Sequence, residues 1–283
     1  MSQSTRGAEL IAIQSAFGVA RMIEHGPPEH AADNPPQSNI VTIDRAKFKM
    51  RPCHWLHALV LGSCLALASG WAAAFPVSPS ATDIAQFGPL HAAAHRGDVA
   101  AIERAIQASA NLNARDSYGR TPLHVAAFAR RHDVIRTLAK AGADLGAFEN
   151  DRYDAVTIVG ILGDDETLRV LLGVGASAKL ITSIHHGTAL IASAHHGHPG
   201  VVRQLIAAGA PLNHINILHW NALIEAVVLG DGGARHQAVL RALIDAGADT
   251  RLTDRAGNTP LALAQARGFR EMVQMLEAAG AGR

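Results

Sequence analysis

The sequence predicts an all-α solenoid, a fold in which short helical repeats stack side by side. Two sequence landmarks recur at nearly constant spacing after residue 88, and the apolar residues between them follow a helical period. A unit of about 33 residues cannot bury its own apolar face, so its stability must come from stacking on its neighbours.

The first landmark is a short motif that opens each unit and is clearest at residues 121–126, which read Thr-Pro-Leu-His-Val-Ala. The steps between its apolar residues are 33, 33, 34, 33 and 38 residues: Leu90, Leu123, Val156, Leu190, Leu223 and Leu261. The second landmark follows four of them by 21 residues, directly after a Gly-Ala or Ser-Ala pair: Asn111, Asp144, Ser177 and Pro211. In the fifth copy the matching Asp249 comes after 26 residues, which indicates a five-residue insertion.

The second half of each unit predicts an amphipathic helix. Apolar residues fall at i, i+1, i+4 and i+5, as in Val134, Ile135, Leu138 and Ala139, and this spacing forms one helical stripe. Gly142 and its counterparts stand where that helix must end in a left-handed residue.

These motifs resemble those of the ankyrin repeat family over residues 88–283. The resemblance rests on the Thr-Pro-Leu-His-x-Ala segment, on Gly197-His198, on residues 246–249 (Ala-Gly-Ala-Asp) and on the turn sequence 113–120. It implies that each repeat has two antiparallel helices and a hairpin-like finger. The six predicted repeats span about 88–120, 121–153, 154–187, 188–220, 221–258 and 259–283.

The third copy departs most from the pattern. It begins with Asp154 instead of Thr-Pro, lacks the histidine at the start of the helix, and places Gly160 within its first helix. In the second copy Arg130 replaces the glycine that ends the first helix elsewhere. We expect the third copy to be the least stable joint in the array.

The first 87 residues have a different character. Residues 1–49 show no sustained period, and we interpret them as an unstructured or mis-annotated extension with Met50 as the true start. Residues 50–74 combine a short basic start, an apolar middle and Ala72-Ala73-Ala74, which is typical of a secretory signal peptide. The alternative is an uncleaved membrane anchor over residues 55–75. Residues 75–87 are then a linker.

Charge and cysteine content exclude several classes of function. The chain carries 25 basic and 24 acidic residues, and from Phe75 onward the two are equal at nineteen each, so nucleic acid is not an expected partner. Both cysteines, Cys53 and Cys64, lie in the signal region. The exported part therefore has no thiol to oxidise, which suits a periplasmic or secreted protein.

Two features allow a metal-binding or small-anion-binding alternative. The histidine cluster of residues 185–198 could supply metal ligands, although the predicted helix separates its two ends by roughly 12 Å. The glycine-rich insertion of residues 229–236 could present N–H groups to an anion. Its blander interpretation is a lengthened turn between helices.

The candidate partner-binding residues lie on two adjacent fingers and on the insertion. Both fingers are rich in isoleucine, and one carries the only tryptophan after the signal, so they predict an apolar contact patch. Packing of these side chains between fingers is the alternative. The candidates are Ile184, His186, Ile217, His219, Trp220, Asp231, Arg235 and His236.

The sequence thus predicts a non-catalytic scaffold, exported to the periplasm, that binds another protein through its fingers and concave face. We expect a monomer with no catalytic residues, metal or cofactor, and no membrane segment in the mature form. Ser193 lies near His195 and His196, but this spacing directs helical side chains apart, so no nucleophile is assigned.

We predict that the mature chain begins at Phe75, because a small residue occupies both positions that signal peptidase reads before it. Mass spectrometry of the protein isolated from the cells that produce it should find this N-terminus. Any peptide from residues 1–49 would contradict the assignment of Met50 as the start.

Overall fold

A computed structural model describes residues 76–281. The predicted extension (1–49) and signal peptide (50–74) lie outside the described residues. The described part is helical, with a single isolated bridge between Thr182 and Gly187. Its helices are α1 (Ala81–Gln86), α2 (Pro89–Arg96), α3 (Val99–Gln107), α4 (Pro122–Phe128), α5 (His132–Lys140), α6 (Ala155–Leu162), α7 (Asp165–Gly173), α8 (Ala189–His195), α9 (Pro199–Ala207), α10 (Ala222–Val228), α11 (Ala234–Asp245), α12 (Pro260–Ala266) and α13 (Arg270–Ala278).

The helices from α2 to α13 form six pairs that stack in chain order. Each first helix packs against the next first helix, from α2 to α12, and each second helix packs against the next second helix, from α3 to α13. The structure therefore confirms the predicted all-α solenoid of helix-turn-helix repeats. Helix α11 has 12 residues where the other second helices have 9, which places part of the fifth-copy insertion in this helix.

The core runs continuously between the two rows of helices. The second helices contribute branched side chains such as Leu138, Leu171, Leu205 and Leu243, all without exposed surface. The first helices contribute small residues at the facing positions: Ala93, Ala126, Ala194, Ala226 and Ala264. Because alanine occupies little volume, adjacent first helices can approach closely and bury the larger side chains behind them.

The histidines of the opening motif in the first two repeats fasten the first helix to the finger that leads into the next repeat. The Nε2 of His91 bonds the carbonyl of Arg120 at 2.9 Å, and the Nε2 of His124 bonds the carbonyl of Tyr153 at 3.2 Å. The backbone N–H of Thr121 donates to Nδ1 of His124, so its ring proton lies on Nε2. Burial lowers the pKa of His124 to about 4, which keeps the ring neutral and able to make both bonds.

The departures of the second and third copies have local structural explanations. A Cβ atom at Gly160 would lie 2.7 Å from Oγ of Ser193, so glycine permits the close approach of α6 to α8. The Asp154 side chain caps α6 by accepting the Thr157 N–H at 3.0 Å. Arg130 adopts the left-handed conformation with φ 56° and forms an ion pair with Asp164 at 2.9 Å.

The segment before the first repeat folds onto the array through Arg120. The guanidinium of Arg120 is buried, and it donates to Oδ2 of Asp116 at 2.7 Å and to the carbonyl of Val77 at 3.0 Å. It also lies 3.3 Å from Oδ2 of Asp83 in α1. The stretch 76–87, predicted as a linker, thus contains a helix that is fastened to the first finger.

We predict that Arg120→Met lowers the free energy of unfolding by about 3 kcal/mol, because it removes a buried cation whose hydrogen bonds hold the first finger and the preceding segment together. Urea denaturation followed by circular dichroism measures this loss. Arg104→Met, at an exposed position of α3, is the control and should change stability by less than about 0.5 kcal/mol. Equal stability of the two variants would contradict the assigned role of Arg120.

Candidate binding surface

The five fingers between repeats share one pattern of side-chain hydrogen bonds. In each, a side-chain oxygen accepts the backbone N–H groups two and four residues later, which helps to fix the turn. The accepting residues are Asp116, Glu149, Ser183, Asn216 and Asp254.

Neighbouring fingers are also bonded to one another. The N–H of Asn150 donates to the carbonyl of Tyr118 at 3.0 Å, and the N–H of Ser183 donates to the carbonyl of Arg152 at 2.9 Å. The N–H of Ile217 donates to the carbonyl of His185 at 3.0 Å. The first four fingers therefore form a continuous row whose backbone is held in place before any partner arrives.

An apolar finger patch lies on two adjacent members of this row. We define it as Ile181, Ile184 and Ile217, whose exposures are 49%, 47% and 44%. His186 and His219 are exposed beside it, and both adopt left-handed backbone angles, with φ of 53° and 66°. The structure thus brings four of the candidate residues together on one accessible surface: Ile184, His186, Ile217 and His219.

Trp220 is both a packing residue and a surface residue, the two roles that the sequence left open. Its side chain is partly buried and packs against the hydrophobic core, while part of it stays accessible. Its backbone N–H donates to Oδ1 of Asn216 at 3.0 Å, which closes the finger turn. A substitution of Trp220 therefore perturbs packing as well as surface.

The insertion has a structural role: it is hydrogen-bonded to the end of α8. The His236 side chain is 3% exposed and lies between Oδ1 of Asp231 and the carbonyl of His195, each at 2.9 Å from a ring nitrogen. Arg235 is exposed, but its guanidinium donates to the carbonyls of His196 and Gly197, both at 3.0 Å. These bonds tie the insertion to the end of α8. Burial removes the His236 side chain from the accessible surface proposed from the sequence, whereas Asp231 remains half-exposed.

The histidine cluster is packed rather than open. The rings of His195 and His196 stack with centroids 4.5 Å apart, and the ring of His198 lies 5.9 Å from that of His196. Burial and the neighbouring histidines lower the pKa of His196 to about 2. Among residues 76–281, no group of three or more His, Cys, Asp or Glu side chains is placed to hold a metal ion. The metal-binding alternative therefore gains no support from the described residues.

Sequence reasoning missed a buried carboxyl group on α10. Glu225 is buried, and Oε1 of its side chain lies 3.6 Å from Nδ1 of His195 on α8. Burial raises the pKa of Glu225 to about 8. The signal was present in the sequence, since the matching positions of other copies hold apolar residues such as Val125, Ile158 and Leu263.

A row of stacked helix pairs with hydrogen-bonded fingers defines an α-solenoid repeat protein with an extended outer surface. The model of the family described as ankyrin repeats in three copies matches residues 66–149 and 156–254. This chain belongs to the ankyrin repeat family. Ankyrin repeats are general protein–protein interaction modules, and proteins built from them are typically non-enzymatic scaffolds.

Three relatives illustrate the similarity. The ankyrin repeat protein YahD of Escherichia coli K12 is 34% identical over 191 residues, which cover 67% of this chain and 94% of YahD. An ankyrin repeat domain from Acinetobacter baumannii AYE is 41% identical, with a TM-score of 0.64 over 68% of this chain and 97% of the other. The ankyrin repeat domain of Bcl-3, a member of the IkappaB family, is 25% identical, with a TM-score of 0.62 over 69% of this chain and 86% of the other.

Separately, no helix within residues 76–281 is both long and apolar enough to cross a lipid bilayer.

We predict that His236→Ala lowers the free energy of unfolding by about 2 kcal/mol, because it leaves the buried carbonyl of His195 without its donor and opens a cavity. Thermal and urea denaturation measure the effect. Arg241→Ala, an exposed substitution in the same helix, serves as the control and should be nearly neutral. A neutral His236→Ala variant would show that the insertion is held by other contacts.

Proposed function

We propose that this protein is an exported, non-catalytic scaffold that binds another protein through the apolar finger patch and the concave surface of the first helices. The observation that carries the proposal is the pair of adjacent fingers that expose isoleucines on a hydrogen-bonded row. Large apolar side chains that are exposed together favour a contact surface over isolated surface positions.

The rigidity of the fingers supports binding by a preformed surface. Because each turn is closed by its own side chain and linked to its neighbour, little backbone freedom is lost when a partner docks. His186 and His219 flank the isoleucines with polar, exposed rings, so the patch has an apolar centre and a polar edge. Asp231 and Arg235 form a second exposed region on the insertion, although Arg235 also has a structural task.

The proposed compartment is the bacterial periplasm. Its support is the signal-like segment of residues 50–74 and the absence of cysteine from Phe75 onward. Delivery into another cell is a different outcome of the same export step, and the identity of the partner will separate the two. Binding is proposed for the monomeric chain, since each repeat already has its neighbours within the same molecule.

We predict that a photo-crosslinking amino acid placed at Ile217 captures a specific partner in the cells that produce the protein, because this side chain is 44% exposed within the patch. Ile184→Ser, introduced into the same protein, should reduce the crosslinked band severalfold through the loss of apolar contact. The unfolding free energy of Ile184→Ser should stay within about 0.5 kcal/mol, since the side chain is exposed.

The control places the crosslinker at Arg136 on α5, which is exposed on a second helix. No partner is expected from that position. Capture of the same protein from both positions, or a crosslink at Ile217 that Ile184→Ser leaves unchanged, would contradict the proposed surface.

A further inference from the structure

Glu225 is an ionisable residue at a position that the fold otherwise reserves for apolar side chains. In three of the other first helices the matching positions are occupied by Val125, Ile158 and Leu263, all buried, and in the remaining two by the partly exposed Ala92 and Ala192. A carboxyl group at such a position loses its hydration, and the unfavourable desolvation is reduced only by hydrogen bonds or an opposite charge. Packing alone therefore does not explain why a glutamate occupies this position.

The described residues supply little of that compensation. Oε2 of Glu225 is buried and has no hydrogen-bond partner among residues 76–281, and Oε1 lies 3.6 Å from Nδ1 of His195. Burial raises the pKa of this carboxyl. Two arginines of this repeat and the next are engaged elsewhere: Arg235 with carbonyls at the end of α8, and Arg267 with the carbonyls of Val228 and Gly230.

The matching position on α8 and the nearby His195 are not fully buried. On α8, the position that matches Glu225 is occupied by Ala192, a small and partly exposed residue. The His195 ring stands beside it and is also partly exposed, with 18% of its side chain accessible. Because the terminal torsion of a glutamate is broad and roughly two-fold, either carboxyl oxygen can turn towards a donor that enters between Ala192 and His195.

We propose that Glu225 and His195 form a recessed anchor for a positively charged lysine or arginine side chain of the partner protein. This inference rests on the proposed function and names the chemistry of one contact within it. An incoming ammonium or guanidinium would give the buried carboxylate the charge and the N–H donors that it lacks. The His195 ring would then form one wall of the recess.

Selection of peptides from a random phage-displayed library against the purified full chain tests the anchor without knowledge of the partner. We expect the selected peptides to share a lysine or arginine at one position and to bind Glu225→Gln and Glu225→Leu roughly tenfold more weakly, as measured by calorimetry. Replacing the shared basic residue by methionine should weaken binding to the natural chain but have little further effect on Glu225→Leu. Glu166→Gln, at an exposed position of α7, is the matched control and should bind as the natural chain does.

Stability supplies an independent measurement. Glu225→Leu introduces the residue type that α12 has at the matching position, so its Tm should rise by about 2–4 °C while its affinity falls. A binding defect caused by damaged folding would lower both together. Glu225→Gln removes the charge with little change of shape and separates charge from volume.

Two different failures are distinguishable. Peptides that protect the fingers and first helices from hydrogen exchange, yet lack a shared basic residue or bind Glu225→Leu equally well, overturn the anchor and leave the proposed surface standing. Peptides that protect neither region, or a library that yields no binder, count against both the anchor and the proposed function.

Discussion

The structure depends on the contact between adjacent repeats, because no helix pair here can bury its own apolar face. First helices pack on first helices and second helices on second helices, with small buried residues such as Ala126 and Ala194 on the first helices. Before the first repeat, Asp83 of α1 lies 3.3 Å from the guanidinium of Arg120, which ties this segment to the first finger. In α13 the side chains of Glu271, Gln274 and Glu277 are exposed.

Much of this architecture could be predicted from spacing alone. The recurrence of Leu90, Leu123 and Leu190 placed the first helices, and the 26-residue interval before Asp249 located the insertion that lengthens α11. Such features are local, since a few consecutive residues determine a helical stripe or a left-handed helix end. The repeat boundaries followed because the same local signals recur in register.

The candidate site was less predictable because its contacts join residues far apart in the chain. The glycine-rich loop before His236 predicts a surface residue, but the His236 ring reaches the carbonyl of His195, 41 residues earlier. Arg120 likewise gains its role from Val77, 43 residues away. The isoleucines of the two central fingers could be identified from the sequence, because the matching turns of other repeats contain polar residues. Their exposure, as opposed to packing between fingers, required the structure.

Unfavourable residues at one turn position of the fingers are confined to the middle of the array. The fourth turn position of the fingers is left-handed, and glycine occupies it at Gly119 and Gly257, whereas the central fingers use Arg152, His186 and His219. Each non-glycine residue there costs on the order of 1 kcal/mol, and the buried carboxyl of Glu225 lies in the same region. In a solenoid a central repeat gains stability from two neighbouring interfaces and a terminal repeat from one. Central repeats can therefore tolerate unfavourable residues that terminal ones could not. Residues that serve recognition at a cost in stability are therefore best tolerated in the middle of the array, where the apolar finger patch lies.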